Sequence, residues 1–274
     1  MSAAIIPIII IVTLVVFAVF APQISPHDPL LNALLERNDE PFWMDDSSGK
    51  YLLGGDPLGR DVLSRIIHGA RTSLGTAAAG VSIAVVFGVT LGLIAGYFGR
   101  IWDTLIMRVV DVLLSIPLIL LALLVIAILG PKIINIILVM GAAGWIWHAR
   151  IVRGNVLRIR EEQFVLAAVN VGTTHLGIMF RHVLPNLLAP VLVTATMQIG
   201  YMVILESGLS FFGITGTSLS WGWDISAGRK YLGTAWWIAS FPGFAIFFTV
   251  LSFNMLGDFL RDAIDPHNRH TPPT

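Results

Sequence analysis

The sequence predicts an all-α membrane protein with six transmembrane helices. Three observations carry that prediction. Hydrophobic residues make up 55% of the 274-residue chain and charged residues only 12%, with a mean hydropathy of +0.81. Soluble domains carry about 25% charge, so the deficit points to lipid as the solvent. Six apolar runs each approach the roughly 20 residues that a bilayer-spanning helix needs, and a polar Arg- and His-bearing segment, 162–186, is set among them. Formal net charge is zero, which leaves no electrostatic footprint for nucleic acid. Cysteine is absent, which excludes disulfides, thiolate metal sites and cysteine nucleophiles.

The first run, 3–20, forms a first unit over 1–21. It reads as a retained helix, because no basic leader precedes it and the AVFAP at 18–22 is a poor cleavage site. A soluble stretch, 22–72, follows. Its PQISPHDP is Pro-rich and extended, and 39–49 has turn composition. GDPLGRDVLSRIIHGARTS then sets Leu63, Ile66 and Ile67 at helical spacing beside Arg60 and Arg65. That pattern predicts an amphipathic helix lying at the interface before the second span. The remaining runs are 74–98, 109–129, 133–151, 187–212 and 236–256, within a core of 73–258, and 259–274 is a polar tail. Runs two, four and five carry small residues, as in GVTLGLIAG, which let membrane helices approach closely.

The segment between the fourth and fifth spans has readable mechanics. REEQFVLAAV favours helix, and Ala167 and Ala168 allow close packing against a neighbour. Gly172 suits a helix C-terminus that needs positive φ. Thr173 or Thr174 then caps a second short helix over 175–182, which begins with His175 and Leu176. Pro185 ends it, because Leu184 before a proline is disfavoured in the helical region. The product is a helix–turn–helix on the membrane surface. It is either a knob offered to a partner or an ordinary amphipathic connector, and spacing leaves both open.

Other chemistry is sparse. There is no G-x-x-x-x-G-K-[ST] phosphate loop, and none of Lys50, Lys132 and Lys230 is followed by Ser or Thr. H-E-x-x-H and G-x-S-x-G are absent, and the pair His267 and His270 reads as a solvated tail. No catalytic or metal-binding set emerges. Glu206 lies about 28 Å along the fifth run at 1.5 Å per residue, near a membrane boundary. A carboxylate there needs pairing, hydration or protonation. It reads as part of a gate or partner contact, or as a structural hydrogen bond to a neighbouring helix. Arg108 and Asp111, three apart, are placed to pair on one face.

Ala167, Ala168, Gly172, Leu184 and Pro185 resemble the cytoplasmic EAA loop of ABC-importer permeases. That pattern is Glu-Ala-Ala, three residues, Gly, nine residues, Ile, one residue, Leu-Pro; Leu166 stands for the Glu and His182 for the Ile. RHVLPN is similar to the RHILPN of one subgroup. The C-type subunits of its dipeptide and oligopeptide importers, in the peptide/nickel permease group, resemble nearly the whole chain. ISPHDP, LGGDPLGRDVLSRIIHGARTSL, DTLIMRVVDVLLSIP, LESGLSFFGI and FPGFAIFFTVLSFNMLGDFLRDAIDP match in order and spacing.

The resemblance implies a type I ABC-importer permease fold, with an external loop between helices one and two and a cytoplasmic coupling loop at about 153–186. It implies that Ala167, Ala168, Gly172, Thr174, His175, Leu176, Leu184 and Pro185 meet an ATPase. The implied partners are a B-type permease subunit, two cytoplasmic ATPase subunits or domains, an external solute-binding protein and membrane lipid. ATP and Mg then belong to partner subunits, and this chain is a transport subunit with no cofactor of its own. The implied cargo is di- or oligopeptides, with nickel or another small solute as the alternative on the same scaffold. A stand-alone channel or secondary transporter would show midplane ionisable residues or paired broken helices, and neither stands out. The implied location is the bacterial inner membrane, multi-pass, with both termini cytoplasmic. Charge bias does not decide orientation, because nine Lys and Arg fall inside and eight outside on that topology.

Overall fold

A computed structural model describes residues 2–214 and 219–264. Helix α1 (Ser2–Ile24) contains Pro7 and Pro22, and its backbone leaves helical values at Phe20 (φ −102°, ψ 20°). Pro22 removes one backbone donor and crowds the preceding turn, so residue 20 marks a kink rather than a terminus. Helix α2 (Val62–Phe98) runs unbroken for 37 residues. Asp61 caps it, accepting from the backbone N–H groups of Leu63 and Ser64 at 3.2 Å.

The unbroken α2 corrects the prediction of a separate interfacial helix. Residues 62–72 are the opening turns of the second span's own helix. Their polar members Ser64 and Arg65 are buried in protein, because a distant carboxylate, Asp224, receives the Arg65 charge.

The third run divides. Helices α3 (Arg100–Leu114) and α4 (Leu118–Leu129) are bent by 87° across residues 115–117. Pro117 forms the N-cap of α4, and a proline restricts both itself and the residue before it. Apolar residues continue through the break, so hydropathy alone reads one span. The sequence showed no clear broken helix; here is one, without a counterpart among the described residues.

Helix α5 (Ile133–Ile159) extends beyond its apolar run to include Arg153 and Arg158. Helices α6 (Gln163–Asn170) and α7 (His175–Ile178) follow, then a π-helical turn (Met179–Val183) leading directly into α8 (Leu184–Phe211). Helix α9 (Trp221–Gly228) is short, and α10 (Trp237–Ile264) carries the last span into the predicted tail. His267 and His270 lie outside the described residues. Among the described residues five helices are long and apolar enough to cross a membrane, counting α7 to α8 as one, and the bent pair α3–α4 completes six if taken as a single span.

The bundle is built on α2 against α5. Gly88, Gly92 and Gly96 of α2 face His148, Ala149, Val152 and Val156 so closely that a Cβ at Gly92 would lie 2.6 Å from the Ala149 carbonyl oxygen. Small residues permit this approach, and packing rather than hydrophobic exclusion holds helices together in lipid. The main core joins α2, α5 and α8 through Leu74, Val81, Ile136, Met140 and Met202, with Trp221 of α9 at one end. A second core, at the other end, lies beneath α6 and α7.

Candidate functional site

The polar segment between α5 and α8 folds as a helix, a tight turn and a second helix. Gly172 has φ +80°. Its N–H donates to the Val169 carbonyl at 2.9 Å, and the Thr173 N–H to the Ala168 carbonyl at 3.0 Å. These two bonds make the Schellman ending of α6, which satisfies carbonyls that a helix end would otherwise leave open. A Cβ on Gly172 would meet nothing within 4 Å. The glycine is therefore required by backbone conformation and not by space. Thr174, rather than Thr173, caps α7 by accepting from the Gly177 N–H at 3.2 Å.

Pro185 does not end the second helix, contrary to the sequence reading. Leu184 is α-helical (φ −57°, ψ −43°), and Pro185 sits in the first turn of α8, where a missing N–H removes little. The π turn before it absorbs the register change. The segment thus leads into α8 without a flexible joint.

Its two faces differ. Val165, Ile178, Met179, Val183 and Leu187 are buried against Leu93, Val152, Val156 and Ile159, and Ala168 packs on this same cluster. On the other side Phe164, Leu166, Val169, Val171, Leu176 and Phe180 are exposed, Val171 at 84%. Ala167, Thr174, His175 and Pro185 are exposed as well, and Leu184 is half-buried. His175 nonetheless anchors the turn: its Nδ1 lies 3.0 Å from the Tyr97 hydroxyl on α2. Arg160 donates to the Gly96 carbonyl at 3.2 Å.

The nearby charges pair differently from the sequence expectation. Asp111 meets Arg150 of α5 at 2.7 Å rather than Arg108 of its own helix. Arg153 holds Asp103 through Nη2 at 2.6 Å. Two inter-helix ion pairs therefore fix α3 to α5, because the long arginine side chains reach across more readily than along one helix.

Glu206 is fully enclosed, at 1% exposure. Its Oε1 accepts from the Ser210 hydroxyl at 2.6 Å and its Oε2 from Ser207 at 3.5 Å. Both of these donors belong to α8 itself, and the hydroxyls of Ser73 on α2 and of Ser220 also bear on the carboxylate, so the neighbouring-helix contact read from the sequence is present beside contacts within its own helix.

A second polar cluster was not singled out in the sequence. Arg65 donates to Asp224 Oδ1 through Nε at 2.8 Å and Nη2 at 2.5 Å, and to the Pro29 carbonyl at 3.1 Å. Asp56 holds Arg60 at 2.5 Å. Burial lifts the Asp224 carboxyl to about 6, although the Arg65 guanidinium beside it pulls the other way. The available signal was an arginine set among the apolar positions of an amphipathic stretch.

The segments 88–270 match the family model described as "Binding-protein-dependent transport system inner membrane component". The chain is 40% identical over 265 residues to a dipeptide transport system permease protein DppC of Alkalihalophilus pseudofirmus, covering 96% of this chain and 85% of the relative. It is 38% identical to a di/tripeptide transport system permease protein DppC of Pseudomonas aeruginosa, covering 92% and 84%. It is 37% identical to a glutathione transport system permease protein GsiD of Pectobacterium atrosepticum, covering 93% and 84%. With its all-helical bundle and its apolar spans, the chain belongs to the family of binding-protein-dependent transport system inner membrane components, the permease subunits of ABC importers with the type I fold.

Proposed function

We infer that this chain is one of two pore-forming permeases in an importer of short peptides. The observation that carries the cargo is the set of relatives named for dipeptide and di/tripeptide transport, similar over more than nine-tenths of this chain. An external binding protein delivers the peptide, a B-type permease completes the pore, and one of two ATPases binds segment 153–186. The exposed apolar side of α6 and α7 supports that docking, since contiguous apolar exposure outside lipid marks a contact surface. Ala167, Gly172, Thr174, His175 and Leu176 lie on or at that side. Ala168, Leu184 and Pro185 shape it from behind. On this reading both termini and segment 153–186 are cytoplasmic, while 22–72 and 215–235 are external.

The test is co-reconstitution in proteoliposomes. Dipeptide uptake is expected only when the second permease, both ATPases and the binding protein accompany this chain. Robust uptake by this chain alone would overturn the reading. Topology is checked by a single cysteine at Thr174 in intact cells; labelling by an impermeant reagent would reverse the orientation.

A further inference from the structure

Midway along the bundle, α5 and α8 bring polar groups to one mainly apolar cavity of about 340 Å³. His148 lies two residues past the midpoint of α5, about 3 Å along the axis at 1.5 Å per residue. Its ring is buried at 1% exposure and lines the cavity with Thr194, Met197, Gln198, Trp147 and Tyr201.

The hydrogen bonds fix which nitrogen carries the proton. Gln198 Nε2 donates to the Gly144 carbonyl at 3.0 Å, which turns Gln198 Oε1 toward His148 Nε2, 2.5 Å away. An amide oxygen only accepts, so Nε2 carries the hydrogen and Nδ1 of the neutral ring keeps a lone pair. Thr194 Oγ1 is 3.4 Å from Nδ1, and its single proton has two nearer acceptors, the Pro190 carbonyl at 2.9 Å and the Val191 carbonyl at 3.1 Å. Nδ1 is left with this one long contact as its only partner.

Two donors flank it. Trp147 and Tyr201 are 55% and 50% exposed, and no described residue hydrogen-bonds the Trp147 indole N–H or the Tyr201 hydroxyl. Lipid tails offer no partner at this depth, and an unsatisfied polar group there is costly. Two such donors on one face, beside a histidine nitrogen with only a long contact, point toward a polar path rather than lipid.

We propose that His148, oriented by Gln198, is a hydrogen-bonding station on the translocation path that accepts an N–H of a passing peptide. Tyr201 and Trp147 supply donors for the peptide's carbonyls. The station reads a group that every peptide carries, which suits a pore whose selection is made elsewhere. The inference rests on the reading of the chain as a peptide-importer permease.

The experiment uses the complete complex in proteoliposomes, with dialanine uptake and ATP hydrolysis measured together. His148→Phe is expected to lower peptide carried per ATP hydrolysed about tenfold, the weight of one hydrogen bond. Gln198→Leu, which frees the ring, is expected to lower it in the same direction. His148→Asn, which restores an acceptor oxygen near Nδ1, is expected to recover most of the loss. Co-purification of all subunits establishes that each variant assembles. A wild-type ratio in both His148→Phe and Gln198→Leu would overturn the station. So would uptake and hydrolysis falling together with the ratio unchanged, or His148→Asn performing no better than His148→Phe. Absence of dialanine uptake by the wild-type complex would instead overturn the peptide-importer reading.

Discussion

At the Trp221 end of the bundle, five charged side chains, Asp56, Arg60, Asp61, Arg65 and Asp224, lie inside the protein. At the Gly172 end, six large apolar side chains, Phe164, Leu166, Val169, Val171, Leu176 and Phe180, lie outside it. The first arrangement is closed by the chain's own contacts. Arg65 ties α2 to α9 and to the segment before it, and Trp237 donates to the Gly55 carbonyl at 3.2 Å. The second arrangement is open, since the chain's own residues leave its apolar surface uncovered. Charge alone is thus a poor marker of an interface here. The charges are structural, and on the proposed reading the exposed apolar residues mark the contact.

The largest expected effect tests the closed end. Arg65→Leu strands the buried Asp224 carboxylate and is expected to destabilise the purified protein by about 3 kcal/mol at pH 7.5. In the wild type the folded Asp224 carboxyl sits at about 6 against an ordinary 3.8. The folded state therefore binds this proton more tightly, and the contribution of Asp224 to stability falls as pH rises from about 4 through 6. Without Arg65 that fall continues to higher pH. The cost of Arg65→Leu is thus expected to shrink at pH 5, measured by thermal unfolding in detergent. An equal cost at both values would show that the arginine acts through packing alone.

A pair of glycines sharpens the contrast. Gly59 and Gly172 have similar backbones, φ +72° and +80°, so alanine strains either by roughly 1–2 kcal/mol. A Cβ at Gly59 would collide with the Ala33 carbonyl, whereas at Gly172 it would meet open space. Gly59→Ala is expected to lower the yield of folded protein, with overpacking adding about 1–3 kcal/mol. Gly172→Ala is expected to leave yield intact, and Gly172→Val to reduce co-purification of the ATPases and peptide uptake more than alanine does, because β-branching restricts the backbone further. Wild-type uptake by Gly172→Val would remove the turn from the coupling role.

The smallest effect concerns the α7 cap. Thr174→Ala removes the acceptor for the Gly177 N–H and is expected to cost about 1 kcal/mol locally. Membrane levels should hold while ATPase affinity falls severalfold, read by co-purification across a dilution series. Unchanged affinity would separate the cap from the docking surface.

Features set by local chemistry were legible in the sequence. Apolar run length located the spans, and Gly172 and Thr174 occupy the turn and cap their residue types suggest. Features set across distance were not. Arg65 and Asp224 are 159 positions apart, so no pattern in either neighbourhood names the other. The same holds for Arg150 with Asp111. The break at 115–117 was hidden because its flanks stay apolar on both sides. Pro185 was misread because a proline interrupts a helix interior but is tolerated in a first turn, and the extension of α8 backward through the π turn decides which applies.

Helix α2 touches both ends. Its 37 residues span about 55 Å at 1.5 Å per residue, well beyond a hydrocarbon layer of roughly 30 Å. Arg65 engages one end and Tyr97 the other, with no proline between them. Toward its C-terminal end, Gly88, Gly92 and Gly96 seat α5 at close range. In mechanical terms the two helices form a laminated beam, and bonded layers resist bending far more than loose ones. A load applied beside His175 finds no hinge in which to dissipate. On the proposed coupling reading it would reach the far end as rotation of the whole member, so that movement at one membrane face became displacement at the other.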